Sequence, residues 1–350
     1  MSANEVRKDY LLNRWVVIAK DRNKRPTDFI KQQPTENNGT CPLCPENEHM
    51  TPPAVLVYLS ENCKIRKEKD TNDVCHKNWL VRVIPNLYPA FSPPTKQNVE
   101  IQESPVLLKA VGHHEVIVES PCHSEAPGVA RISQLLHLIN AYLDRLAALS
   151  AKPYVKHVAF FKNYGQKAGA SLSHTHTQLI ASPIVPPILE EELTASKKYW
   201  NKNHECQFCN IIKQESGGPR FIWQNQSFVA FAPWASINPM EFWIFPKKHS
   251  SNMAAMTRKE ISDLAETMRV CLGGLRSKLD DPPYNFGFHS VLSEDFKDSY
   301  HWHLEVYPRL SIWAGFEKST GMYINAVSPE DAAKELRSAA KEEMKSLKRG

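Results

Sequence analysis

Apolar runs of four to eight residues, set between polar turns that carry proline or asparagine, predict strands along most of the chain. They fall at Trp15–Ile18, 79–84 (WLVRVI), 114–119 (HEVIVE), 155–161 (VKHVAFF) and 179–184. Further runs fall at 221–223, Phe228–Phe231, 241–245 (EFWIF) and 285–291, and a last strand carries His301-Trp302-His303. Two stretches change to helical spacing. Ile132, Leu135, Leu136, Ile139, Leu143 and Leu146 mark a helix within 128–149; Ile261, Leu264, Met268, Cys271, Leu272 and Leu275 mark a second. An acidic helix start is expected at Glu190 to Glu192, after Pro186-Pro187. Ser328-Pro329 reads as an N-cap with proline in the first turn of a final helix. Residues 45–78 are polar and charged and read as a loop or insertion, and 91–110 as a loop.

The two halves repeat one order: C-x-x-C, strand, P-x-H-S, amphipathic helix, Pro-Tyr, strand, H-x-H. The first half has Cys41/Cys44, Pro121 to Ser124, Pro153-Tyr154 and His174/His176. The second has Cys206/Cys209, Pro246 to Ser250 with one extra lysine, Pro283-Tyr284 and His301/His303. The interval from His123 to His174 nearly equals that from His249 to His301. This predicts an α+β fold of two tandem repeats, each a mostly antiparallel sheet with a flanking helix, divided as 1–185 and 186–350.

Composition is that of a soluble globular protein of 350 residues. Its net charge of +5 suits anionic small molecules and is too weak to argue for nucleic acid. No apolar run is long enough for a membrane span, and the charged N-terminus lacks a secretory core, so the expected location is cytoplasmic. In a reducing compartment, two C-x-x-C pairs among eight cysteines point to metal ligands rather than disulfides. Each half offers a tetrahedral zinc set: Cys41, Cys44, His123, His174 and Cys206, Cys209, His249, His301. A rival second site would join Glu190 to Glu192 with His289, His301 and His303, a set better suited to iron. The second histidine of each pair, His176 or His303, is then left free.

The stretch 163–178, NYGQKAGASLSHTHTQ, sets His174, His176 and Gln178 on one side of an extended segment. The glycines ahead of it let backbone approach a bulky anion. Neutral imidazole is a good nucleophile toward phosphorus near neutral pH. Only the first half has this lead-in; after His303 comes Glu305, whose carboxylate would repel phosphate. The chemistry is therefore assigned to His176. The basic cluster Arg22, Lys24, Arg25 reads on its own as a solvated loop.

These residues, spaced N-x-G-x-x-x-G-x-S-x-x-H-x-H-x-Q, resemble the active-site signature of the galactose-1-phosphate uridylyltransferase family, a branch of the histidine-triad superfamily. Similar too are RKD…NRWVVIAKDRNKRP, the first C-x-x-C, the N-x-[YF]-P-A turn at Asn86, S-P-x-H-S at Ser120, and A-G-F-E at Ala314. The resemblance covers nearly the whole chain and implies two histidine-triad-like half-barrels. It implies that His176 forms a covalent nucleotidyl-histidine and that Gln178 bonds the transferred phosphoryl group. Asn163, Gly169 and Ser171 would contact phosphates or hold the loop, and Arg22 and Arg25 would contact phosphates. Asn86 would lie near the nucleotide, and Gly315, Phe316, Glu317 and Asn325 near the sugar, in part across a homodimer interface. One or two zinc ions per chain are implied.

The implied reaction is ping-pong: a nucleotide sugar loses its sugar-1-phosphate to leave nucleotidyl-His176, and a hexose-1-phosphate then takes the nucleotide. The family points to UDP-glucose and galactose-1-phosphate. Leu87-Tyr88 after the turn asparagine, Phe316, Asn325, the H-T-H centre and the second C-x-x-C are more similar to its ADP-glucose phosphorylase branch, which moves adenylyl to inorganic phosphate. A histidine-triad hydrolase would release nucleotide to water. A reading of another class, a non-catalytic tandem zinc module, predicts a stronger basic stripe and no phosphate cradle.

Overall fold

The computed structural model describes residues 5–18, 40–62, 64–95, 102–104, 107–108 and 110–349. In chain order the first half holds β1 (Glu5–Lys8), β2 (Trp15–Ile18), β3 (Leu56–Glu61), β4 (Lys64–Glu68), β5 (Trp79–Pro85), β6 (Gln102–Ser104), β7 (Leu107–Leu108), β8 (His113–Val118), α1 (Ile132–Ser150), β9 (His157–Tyr164) and β10 (His176–Ser182). The second half holds α2 (Pro187–Asn203), α3 (Gln207–Glu215), β11 (Phe221–Gln224), β12 (Phe228–Phe231), β13 (Phe242–Pro246), α4 (Arg258–Leu279), β14 (Tyr284–His289), β15 (His303–Pro308), α5 (Gly315–Thr320), β16 (Tyr323–Asn325) and α6 (Pro329–Leu347).

Eleven strands form one antiparallel sheet in the order β11-β12-β13-β15-β14-β9-β10-β8-β5-β3-β4. Counted outward from the centre, β9-β10-β8-β5-β3 and β14-β15-β13-β12-β11 match strand for strand. The duplication read in the sequence is thus built as two half-sheets joined edge to edge. Their joint is the antiparallel β9–β14 pair, with Asn163 opposite Asn285. A smaller sheet, β1-β2-β16, carries the N-terminal segment beside the second half.

One face of the large sheet is covered along both halves by α1, α4 and α6. Leu135, Leu138, Ile139 and Tyr142 of α1 pack with Val83, Ile117, Phe160 and Leu179, and Leu264, Met268 and Leu275 of α4 with Phe286, Leu304 and Leu336. A Thr257/Glu260 capping box starts α4. Gly274 lets α6 approach, since a Cβ there would stand 2.9 Å from the Ala340 nitrogen.

The opposite face differs between the halves. In the second, α2 and α3 cover it, burying Leu189, Leu193, Phe208, Ile211 and Ile212 with Phe231, Trp243 and Phe245. In the first, the described cluster of Leu43, Ala54, Val57, Trp79, Ile84 and Val118 contains no residue of an α-helix.

Three local expectations are corrected. Residues 45–78 contain the β3–β4 hairpin: β4 (KIRKE) is almost wholly exposed and is held by backbone pairing to β3. Its charges suit an exposed sheet edge and also disguise it as a loop. The acidic helix starts at Pro187, because proline is accommodated in the first turn. Within 91–110 there is a short β6–β7 pair.

Candidate active site

The loop from β9 to β10 turns through Gly165 and Gly169, whose φ angles of 80° and 88° suit glycine. Asn285 pins it by donating from Nδ2 to the Ala168 carbonyl at 2.8 Å and to Asn163 Oδ1 at 2.9 Å. The chain then enters β10 at His176. Its Nδ1–H donates to the His174 carbonyl at 2.8 Å. That bond fixes the tautomer, so the lone pair sits on Nε2, which makes no hydrogen bond among the described residues. Burial, then the nearby Lys162 ammonium, lower the basicity of His176 and keep the ring neutral.

Beneath the strand lies a buried ion pair that sequence reasoning missed. Lys162 Nζ donates to Glu119 Oε1 at 2.8 Å, to Thr175 Oγ1 at 3.0 Å and to the His176 carbonyl at 3.0 Å. The hydroxyls of Thr175 and Thr177 also donate to Glu119. These bonds hold Thr175, His176 and Thr177 from below. The available signal was a lysine inside the apolar run FFKNY.

Cys41, Cys44, His123 and His174 bring one ligand atom each to within 4.8 Å of one another, as do Cys206, Cys209, His249 and His301. His174 Nδ1 is 3.7 Å from Cys41 Sγ and 3.4 Å from Cys44 Sγ, and His123 Nδ1 is 3.3 Å from Cys44 Sγ. In the second set, Cys209 Sγ is 3.3 Å from His249 Nδ1 and 3.5 Å from His301 Nδ1. Tetrahedral zinc would separate sulfur and nitrogen ligands by about 3.5 Å. Each histidine turns its other nitrogen to an oxygen: His174 to Ser120 O, His123 to Ser173 Oγ, His301 to Pro246 O, His249 to Lys297 O. That is the orientation metal-binding imidazoles need. Burial draws His174 down to about 4, so it is a neutral donor at pH 7. Both sets fit zinc.

The rival grouping is only partly assembled. Glu192, His289 and His303 meet Glu305, while His301 turns to the cysteines and Glu190 and Glu191 are exposed. His303 repeats the His176 geometry, its Nδ1 donating to His301 O at 3.1 Å, but its Nε2 is taken by Glu305 Oε1 at 3.1 Å. Phe208, Trp243, Phe245 and Tyr300 surround its ring, which is fully buried.

Gln178 shares one face of β10 with His176 and meets His114 of β8, another residue the sequence reading missed; Gln178 Oε1 and His114 Nε2 are 2.9 Å apart. Asn86, after β5, lies 3.1 Å from the same nitrogen. Asn163, near the end of β9, lies against Gly169 of the loop, and Ser171 is exposed. Arg22 and Arg25 lie outside the described residues. Gly315, Phe316 and Glu317 start α5, whose side-chain hydrogen bonds among the described residues are confined to the helix and its flanks. Asn325 is a correction. It is buried, donates to Ser236 O and Asn238 O and accepts from Val327 N–H, so its amide has no exposed group for a sugar.

Residues 1–186 match the galactose-1-phosphate uridyl transferase N-terminal domain, and 125–349 match a domain of unknown function. The chain is 34% identical over 346 residues to an ADP-glucose phosphorylase of Arabidopsis thaliana, covering 95% of this chain and 92% of that protein. It is 28% identical to a galactose-1-phosphate uridylyltransferase of Thermotoga maritima, covering 95% and 98%. Among solved structures, an Arabidopsis thaliana ADP-glucose phosphorylase with bound ADP-glucose matches with a TM-score of 0.80 at 33% identity, over 96% of this chain and 99% of that one. Motif, duplicated sheet and these matches agree: the chain belongs to the galactose-1-phosphate uridylyltransferase family.

Proposed function

We propose that this chain transfers a nucleotidyl group from a nucleotide sugar to a phosphate acceptor through His176. The observation that carries the reading is the His176 tautomer: Nδ1–H is spent on the His174 carbonyl, leaving Nε2 with its lone pair and no hydrogen-bond partner among the described residues, on the face of β10 that Gln178 shares. In the first half-reaction Nε2 attacks the nucleoside-bearing phosphorus, forming a P–N bond as the P–O bond to the sugar phosphate breaks. In the second, an acceptor phosphate oxygen attacks the same phosphorus and the P–N bond breaks, restoring the free imidazole. Gln178 donates to the non-bridging oxygens, and Asn163, Gly169 and Ser171 shape the loop around them. Arg22 and Arg25 add charge to the phosphates. Zinc held by Cys41, Cys44, His123 and His174 would stiffen the strand entering His176, and a second zinc on Cys206, Cys209, His249 and His301 would brace the second repeat. We take 1–185 as the catalytic repeat and 186–350 as its supporting partner. Gly315, Phe316 and Glu317 act at the sugar end from a second copy of the chain, which the exposed Phe316 ring suits.

We take ADP-glucose as donor and inorganic phosphate as acceptor. Identity favours this, at 34% against 28%, and so do Leu87-Tyr88 after Asn86. The matching N-terminal domain favours the second reading, uridylyl transfer from UDP-glucose to galactose-1-phosphate. Incubation with each donor and each acceptor, followed by product analysis, tests both. ADP and glucose-1-phosphate are expected from ADP-glucose and phosphate. Exclusive use of UDP-glucose with galactose-1-phosphate would select the second reading, and no transfer from either donor would overturn both.

A further inference from the structure

His114 fixes which way the Gln178 amide points. The backbone N–H of Ala90 can only donate, and it lies 3.1 Å from His114 Nδ1. Nδ1 therefore carries the lone pair, and the neutral ring holds its proton on Nε2. That N–H faces the Gln178 carboxamide at 2.9 Å, so Gln178 presents its oxygen to the ring and turns its NH2 away. Among the described residues the Gln178 side chain has no other hydrogen-bond partner, so His114 alone distinguishes its two amide orientations there.

Asn86 is oriented by similar logic. Tyr88 N–H donates to Asn86 Oδ1 at 2.9 Å, which leaves the Asn86 NH2 facing His114 Nε2 at 3.1 Å. Two N–H groups do not bond, so this approach is a contact, and the Asn86 amide hydrogens remain for another acceptor. The backbone N–H of Asn86 also donates to the His114 carbonyl at 2.8 Å, tying the turn to β8. His114 thus stands between two amides, facing the oxygen of Gln178 and the NH2 of Asn86.

We propose that His114 is a positioning residue for phosphoryl transfer: it holds Gln178 as a donor toward the anionic oxygens of a nucleoside diphosphate. This rests on the His176 transfer reading above. With the amide reversed, its carbonyl oxygen would face those anionic oxygens and repel them. The expected loss is in the rate of the chemical step rather than in substrate binding.

The test compares His114→Gln, which can place an amide N–H where the Nε2–H stood, with His114→Glu, which offers acceptors alone and would reverse the Gln178 amide. His114→Phe keeps a ring without a donor. Each is made alone and with Gln178→Ala, and the single-turnover rate of His176 nucleotidylation is read by intact mass with ADP-glucose and UDP-glucose. His114→Glu and His114→Phe should slow labelling about 100-fold, His114→Gln should recover most of the rate, and neither slow variant should add to the loss in the Gln178→Ala background. Equal rates for His114→Gln and His114→Glu, or additive losses with Gln178→Ala, overturn the inference while leaving the transfer reading standing. A wild-type chain that takes no label overturns that reading and this inference together.

Discussion

The Nδ1–H of His176 donates to the carbonyl of His174 at 2.8 Å, and His303 makes the same bond to His301 at 3.1 Å. One local geometry thus occurs twice with opposite fates. Glu305, two residues after His303, caps the Nε2 of that ring, whereas Gln178, two residues after His176, is turned to His114. Helices α2 and α3 close the second repeat over aromatic rings, and no helix contributes to the described cluster on the matching face of the first.

Replacing His176 should therefore abolish transfer while His303 is dispensable for it. His176→Asn is expected to stop both half-reactions. His303→Asn should lower the melting temperature, since it breaks into a packed aromatic cluster, yet keep His176 labelling. Steady-state rates with a thermal melt on each variant check the pair.

Gln178→Ala should lower the transfer rate by about 100- to 1,000-fold, the range for losing one donor to a developing anionic oxygen. Its melting temperature should change little, because the side chain is half-buried and bonded to His114 alone among the described residues. Single-turnover kinetics beside a melt distinguishes this from unfolding.

Lys162 and Glu119 form a pair buried to within a few per cent of complete. Lys162→Met should destabilise the fold by about 3–5 kcal/mol, because it leaves the Glu119 carboxylate buried without its cation. Adding Glu119→Gln should recover part of that loss. Urea unfolding of the single and double variants measures it.

Much of the site was legible because its chemistry is local. His176 and Gln178 alternate on β10 with His174 two residues ahead of it, and each C-x-x-C has the spacing of a zinc-ligand pair, so residue type and period sufficed. Duplication was readable because both repeats keep the same marks in the same order. Other features depend on partners distant in sequence. His114 reads as one polar residue in HHEVIV until β8 pairs beside β10 and brings it diagonally to Gln178. The joint between the half-sheets rests on the pairing of β9 with β14, whose side-chain contacts, such as Asn285 to Asn163, 122 positions apart, carry no local pattern. Asn325 shows the reverse failure, where a match by position pointed to a sugar and the fold uses the amide to hold 236–238.

Burial holds His157 down to about 4, well below its ordinary value of 6.5. The unfolded chain therefore binds the proton first on acidification. Stability should fall as the pH drops from about 6.5 to 4, by up to about 3 kcal/mol from this group, and level off below. His157→Gln should remove that part of the pH dependence, which urea unfolding of both proteins at pH 7.5 and pH 5 would reveal.

Metal content should be two zinc ions per chain. Cys44→Ser should lose one ion and impair labelling of His176, whereas Cys209→Ser should lose the other and affect stability more than labelling. Elemental analysis of the purified variants, beside thermal melts and labelling rates, checks the assignment.

Covalent transfer runs through one imidazole nitrogen in this proposal. Peptide mapping by mass spectrometry after brief mixing with ADP-glucose or UDP-glucose, without acceptor, reads it at the residue itself. A nucleoside monophosphate is expected on His176, removed when phosphate or a hexose-1-phosphate is added. A label on any other residue, or turnover with His176 never modified, would contradict it.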